Sequence, residues 1–115
     1  MRKQIRLSTV PCLALAACLF PFVVLAADPE INIVIKDHVF VPAEVKVPAG
    51  KKVKLIVENQ DATAEEFESH ALNREKVIPP RSKAVIFIGP LAPGKYPFFG
   101  DFHPDTARGV VIAEK

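Results

Sequence analysis

The chain has 115 residues, room for one domain, with 15 Lys and Arg against 13 Asp and Glu. Three of the basic residues (Arg2, Lys3, Arg6) and none of the acidic ones precede Asp28, so residues 28–115 carry 12 basic and 13 acidic side chains, a net −1. No basic stripe remains, which argues against nucleic acid as a partner. Cys12, Cys18 and Met1 also precede Asp28, so the rest offers no disulfide, thiolate or thioether.

Arg2, Lys3 and Arg6 lead into an uncharged apolar run over 7–27 that ends in small residues before Asp28-Pro29-Glu30. A basic start, an apolar middle and a small-residue exit read as a secretory signal peptide over 1–27, and as export of residues 28–115 to the periplasm. Val24-Leu25-Ala26 and Leu25-Ala26-Ala27 both fit a cleavage site. The run is long enough to span a bilayer, but Pro11, Pro21 and the small-residue exit speak against a retained anchor. Leu15-Ala16-Ala17-Cys18 has the form of a lipoprotein box, which would lipidate Cys18 instead. Against that, residues 19–27 stay apolar where a lipoprotein turns polar.

In chain order, Ile31, Ile33 and Ile35 alternate with polar or outward positions and predict a strand, broken by Asp37-His38. Phe40-Val41-Pro42 leads to a second strand in which Val45 and Val47 alternate with Glu44 and Lys46. Pro48-Ala49-Gly50-Lys51 is a turn. Val53, Leu55 and Val57 alternate with Lys52, Lys54 and Glu58, a third strand with one wet face. After a polar loop over 59–65, residues 66–72 predict a fourth strand, with Phe67, Ser69 and Ala71 on one face and Glu66, Glu68 and His70 on the other. Asn73 to Lys76 is polar, and Pro79-Pro80 argues against regular pairing there. Further strands are expected over 82–88, 95–99 and 109–114, with Phe67, Phe87, Tyr96 and Phe98 in the core. About seven short strands, frequent turn signals and no helical period predict an all-β, antiparallel Greek-key β-sandwich over 28–115.

Three segments of that sandwich resemble the cupredoxins. Phe40-Val41-Pro42 through Val45-Lys46-Val47-Pro48-Ala49-Gly50 resembles that family's second strand and turn. Leu91-Ala92-Pro93-Gly94-Lys95-Tyr96 resembles its L-x-P-G-x-Y entry to the ligand loop. The blue-copper loop reads Y-x-F-x-C-x-x-H, then M-x-G, and Tyr96, Phe98 and His103 match it. Gly100 stands where the cysteine should be and Ala107 where the methionine should be. A blue-copper centre needs a thiolate and two imidazoles, so a blue-copper electron carrier is not expected. Glu66-Phe67-Glu68-Ser69, Leu72 to Pro79 and Phe99-Gly100-Asp101-Phe102-His103 are similar to a cysteine-free subgroup, the periplasmic cupredoxin-like components of bacterial ferrous-iron uptake systems. That resemblance implies handling or oxidation of ferrous iron before transport, use of copper as well as iron, and as partners a periplasmic iron-binding protein, a membrane permease and, in some systems, a ferredoxin-like membrane protein.

The candidate metal ligands are His103, Glu66, Glu68, His38 and Asp101. His103 occupies the family's ligand position; the alternative is a solvent-facing loop histidine. Glu66 and Glu68 lie where blue-copper members place their other histidine; the alternative is a solvated acidic strand edge. His38 sits at a strand break at the sandwich end, and Asp101 two residues before His103, either as a ligand or as a turn former. Glu65, of opposite parity to Glu66, is a reserve candidate, and His70 a further one. Arg74 and Lys76 are expected to pair with Glu75 or the acidic strand, or to steer an acidic partner. Carboxylates with imidazole make a hard site suited to iron or Cu(II) rather than Cu(I), here one mononuclear centre.

Two functions follow. One is a periplasmic cupredoxin-like metal-binding protein serving ferrous-iron uptake, with an accessory part in Fe(II) oxidation left open. The other is a metal-free docking module, since fold does not fix function. A hydrolase is not expected: there is no nucleophile elbow, Cys/His pair or Gly-rich phosphate loop.

Overall fold

The computed structural model of the protein describes residues 3–5, 8–11, 14–22 and 27–115. The expected cleavage sequences run through residues outside this set, as do Arg2, Arg6 and Cys12. Cys18 is described, as an exposed free thiol. Among the described residues the first regular element begins at Glu30, and there is no helix.

Nine strands follow in order: β1 (Glu30–Lys36), β2 (Val39–Val41), β3 (Glu44–Pro48), β4 (Val53–Asn59), β5 (Glu65–Ser69), β6 (Arg74–Ile78), β7 (Lys83–Ile88), β8 (Gly94–Gly100) and β9 (Arg108–Glu114). They form a four-stranded sheet, β2-β1-β4-β7, and a five-stranded sheet, β3-β9-β8-β5-β6. The all-β sandwich agrees with the alternation in the sequence. Two features differ. The sheets are mixed rather than purely antiparallel, because β1 runs parallel to β4 and β3 parallel to β9. The cause is a change of sheet between β2 and β3: β2 pairs with β1, but Pro42-Ala43 carries the chain across to the other sheet, where β3 meets β9. There are also more strands than expected. Asp37-His38 closes a separate β1–β2 hairpin, and residues 74–78, expected to be unpaired, form β6 against β5. Pairing stops at Ile78, so Pro79-Pro80 ends the ladder rather than preventing it.

The inward faces are those the alternation predicts: Ile33 and Ile35, Val45 and Val47, and Val53, Leu55 and Val57 are buried. Phe40, Phe67 and Phe98 meet at the centre, with Phe40 edge-on to Phe98 (centroids 4.9 Å apart) and Phe67 stacked on Phe98 at 5.0 Å. Such ring pairs contribute beyond their buried area. Gly109 borders this group, and a Cβ there would overlap the Phe98 ring. Phe87, expected in the core, faces outward and is 43% exposed. On β7 the inward set is Ala84, Ile86 and Ile88, and the Lys52 ammonium lies 4.5 Å from the Phe87 ring instead. Tyr96 is partly buried against the core and donates its hydroxyl hydrogen to the Ala92 carbonyl at 2.8 Å.

Candidate metal centre

Three loops meet at one end of the sandwich. The β1–β2 turn places Asp37 and His38 with φ of 52° and 60°. Two successive left-handed residues suit a tight hairpin turn, but neither is glycine, so the backbone needs outside support. Asp61, in the β4–β5 loop, supplies it. Its carboxylate accepts the backbone N–H of Asp37 at 2.8 Å and of His38 at 3.0 Å. Thr106, from the β8–β9 loop, donates its hydroxyl hydrogen to the His38 carbonyl at 2.7 Å.

The β4–β5 loop is in turn fixed by Asn59, which is fully buried. Its amide donates to the carbonyls of Thr63 and Ile78, at 2.8 and 3.1 Å, and its side-chain oxygen accepts the N–H of Asp61 at 3.0 Å. Burial alone would raise the Asp61 carboxyl. The two N–H donors and the neighbouring His38 and His103 outweigh it, so Asp61 titrates below its ordinary value.

β5 delivers Glu65 into the same end. Phe67 points inward, so Glu65, two residues earlier on the same face, does too, and it is 1% exposed. Its buried carboxylate is satisfied: one oxygen accepts the N–H of Glu66 at 3.1 Å and of Phe102 at 2.9 Å, and the other meets His103 Nδ1 at 2.5 Å. His103 sits on the loop between β8 and β9, tied at its N–H to the Gly100 carbonyl and at its carbonyl to Ala107. The His38 and His103 rings stack with centroids 3.5 Å apart and planes 13° from parallel. His38, Glu65 and His103 can each direct a ligand atom to within 4.8 Å of the others.

Gly100 explains how a carboxylate comes to stand here. A Cβ on Gly100 would lie 2.7 Å from the Glu65 carboxyl carbon and 2.7 Å from the Ala107 methyl. The Glu65 head group thus fills the room a side chain at the missing cysteine position would need. Ala107, at the missing methionine position, is fully buried and too short to offer a donor.

The sequence candidates therefore divide. His38 and His103 come together with Glu65, the reserve candidate. Glu66, Glu68 and Asp101 form a separate group on the other face of β5, their oxygens likewise within 4.8 Å of one another. Glu66 is 8% exposed. A proton-sharing contact with the Glu75 carboxyl, then burial, then the charges of Glu75, Asp101 and Glu68 push it up to about 7. His70, 3.7 Å from Glu68, is on the exposed rim of this group. Among the described residues neither Arg74 nor Lys76 pairs with a carboxylate; the Arg74 guanidinium donates to the Phe87 and Asn73 carbonyls. The signal that locates Glu65 in the sequence is its parity with Phe67, read together with a glycine opposite it at position 100.

Residues 9–113 match the family described as Cupredoxin-like domain. An uncharacterized protein of Rickettsia prowazekii, RP394, is 55% identical over 83 residues; the match takes in 72% of this chain and 66% of that protein. Among solved structures, the fold is similar to auracyanin A, a "blue" copper protein of Chloroflexus aurantiacus, with a TM-score of 0.67 at 15% identity, covering 76% of this chain and all of that one. It is equally similar to the metal-binding domain of the Cu(I)-exporting ATPase CopA of Streptococcus pneumoniae D39 (TM-score 0.67, 15% identity, 75% of this chain and 85% of that one). Amicyanin of Paracoccus versutus gives 0.58 at 21% identity, over 78% of this chain and 85% of that one. The two mixed sheets, the loop cluster at one end and the match over nearly the whole chain lead to one assignment: the protein belongs to the cupredoxin-like domain family.

Proposed function

We propose that the protein is a periplasmic metal-binding protein that holds copper or iron between His38, Glu65 and His103 and serves a ferrous-iron uptake system. The observation that carries this is a cluster of two imidazoles and a buried carboxylate, one ligand atom of each within 4.8 Å of the others, at the end of the sandwich that the family match covers. Two nitrogens and one carboxylate oxygen suit Cu(II) and iron, and the carboxylate in place of a thiolate favours the harder, oxidised ion. A bound ion would supply one-electron chemistry. The chain's own residues would hold it: Glu65 fixed by two backbone N–H groups, His103 by Glu65 and the loop, His38 by its turn.

The iron part of the reading rests on the resemblance of 66–69, 72–79 and 99–103 to the iron-uptake subgroup. It brings with it a periplasmic iron-binding protein and a membrane permease as partners. A single centre of this kind cannot keep the electron it takes from Fe(II), so an accessory role beside a partner fits better than independent turnover.

The test is titration of the purified protein with Cu(II), and with Fe(II) under anaerobic conditions, at neutral pH. Binding tighter than about 1 mM that is lost in His103→Ala, with the fold retained by circular dichroism, is the expected result. Failure of the wild-type protein to bind either ion, or undiminished binding by His103→Ala, would contradict it.

A further inference from the structure

We infer that the end of the sandwich opposite the histidine cluster is a docking surface for a bilayer that contains anionic phospholipid. The two ends differ in charge. The connections at the histidine end carry Asp37, Asp61, Asp101 and Asp105 against Arg81. The β3–β4 turn at the other end carries Lys51 and Lys52, with Lys95 one residue into β8 and Lys115 just after β9. Against these stand Asp28 and Glu114, since Glu30 is already paired with Lys54 at 3.2 Å. All four lysines are exposed, and among the described residues none of them forms an ion pair.

An apolar hollow of about 380 Å³ lies among these lysines, lined by Ala49, Gly50, Pro90, Leu91, Ala92 and Pro93, with Lys115 its one charged residue. Backbone bonds hold its walls together: the Gly50 N–H donates to the Leu91 carbonyl at 2.9 Å, and the Ala49 N–H to the Glu114 carbonyl at 2.7 Å. An apolar floor inside a rim of ammonium groups matches the layering of an anionic bilayer surface, where phosphates meet the lysines and the apolar loop reaches the level beneath them. The course of the chain agrees. Ala27, Asp28 and Pro29 line a neighbouring hollow with Lys51 and Lys52. The uncharged apolar run over 7–27, whose sequence reads as an export signal, therefore joins the domain at this end. β1 then runs from Glu30 here to Lys36 beside His38, seven residues and about 20 Å. With the lysine end on the bilayer, the histidine cluster faces the aqueous side. The inference does not use the metal reading, so each can fail without the other.

The test places the full chain on lipid nanodiscs of phosphatidylcholine, alone or mixed with phosphatidylglycerol, each containing a paramagnetic headgroup lipid, and follows backbone amides by NMR. The apolar run partitions into both compositions, so the readout is where the domain sits. On the anionic discs the amides of Gly50 and Ala92 should broaden and those of Asp37 and Thr106 should not. On phosphatidylcholine alone the broadening at Gly50 and Ala92 should be lost. A lysine near an anionic surface strengthens adsorption about 5-fold, so Lys51→Glu with Lys115→Glu should weaken it by about 25-fold or more and give the phosphatidylcholine pattern on anionic discs. Lys36→Glu with Lys83→Glu makes the same change of charge toward the histidine end and should leave Gly50 and Ala92 broadened. Equal broadening on both compositions, broadening at Asp37 and Thr106, or wild-type behaviour of the Lys51 and Lys115 variant overturns the inference. Equal loss in the Lys36 and Lys83 variant also overturns it, because net charge and not this end would then decide. So does concentration-dependent broadening of Gly50 and Ala92 without lipid, which would assign this end to the acidic end of a second copy.

Discussion

Gly100 and Glu65 together decide what kind of site this sandwich end can form. With a Cβ at position 100 only 2.7 Å from the Glu65 carboxyl, Gly100→Ala should drive the carboxylate out of its place. Overpacking of this kind costs about 1–3 kcal/mol, visible as a lower denaturation midpoint, and Cu(II) affinity should fall with it. A Gly100→Ala protein with unchanged stability and binding would show that Glu65 has another place to go. Glu66 carries a separate expectation, with the opposite sign to Asp61. Its folded value of about 7 lies above the usual 4.5, so the folded state holds its proton more tightly and loses stability as pH rises from about 4.5 to 7. Asp61, lowered on folding, contributes stability above 3.8 that is lost as pH falls through its folded value. Unfolding midpoints measured against pH should therefore show a decline through the Glu66 window that Glu66→Gln abolishes. Of these residues, His38 and His103 were legible as candidate ligands from a strand break and a loop motif. Glu65 was legible only in parity, because the sequence does not display that the space opposite it is empty of side chain.

Among the elements, β5 carries the most chemistry in the fewest residues. Glu65, Phe67 and Ser69 face inward to the site, the aromatic core and the Pro97 carbonyl, while Glu66 and Glu68 lie on the opposite face of the sheet. The β5–β6 register sets Glu68 opposite Glu75, two like charges at one pair, an arrangement that destabilises a sheet. This is why β6 is hard to find in sequence. Its residues are polar and exposed on nearly every position, and only Ile78 reaches the core. Likewise the switch of β3 to the other sheet, which makes the sheets mixed, leaves no trace in a two-residue alternation that looks the same in either sheet. The inward alternation of β1, β3 and β4 was plain because hydrophobic burial dictates it directly. At the β8–β9 pair, Gly109 faces Phe98 in register. Gly109→Ala should destabilise the protein by about 1–3 kcal/mol by pushing the Phe98 ring off its partners. A thermal midpoint equal to wild type would mean the ring group tolerates the displacement.

Over the whole molecule, the sandwich serves as a rigid base that gathers loops from both sheets at one end. The β1–β2 turn belongs to one sheet, the β8–β9 loop to the other, and the β4–β5 connection runs between them. Neither candidate histidine has a neighbour in sequence that identifies the other; their meeting is a product of topology. That placement is also why alternation could yield the sandwich while the grouping of candidate ligands, Glu65 with the histidines and Glu66 with Glu68 and Asp101, had to come from three-dimensional structure. The account stands on one claim, that His38, Glu65 and His103 hold a single metal ion without a thiolate. Electron paramagnetic resonance of the protein loaded with one equivalent of Cu(II), compared with His38→Ala, Glu65→Gln and His103→Ala, tests it most directly. The account predicts coupling to two imidazole nitrogens in the wild type, to one in each histidine variant, a changed oxygen environment in Glu65→Gln, and no blue thiolate-to-copper band in any of them. A Cu(II) signal unaffected by all three substitutions would place the ion elsewhere and contradict it.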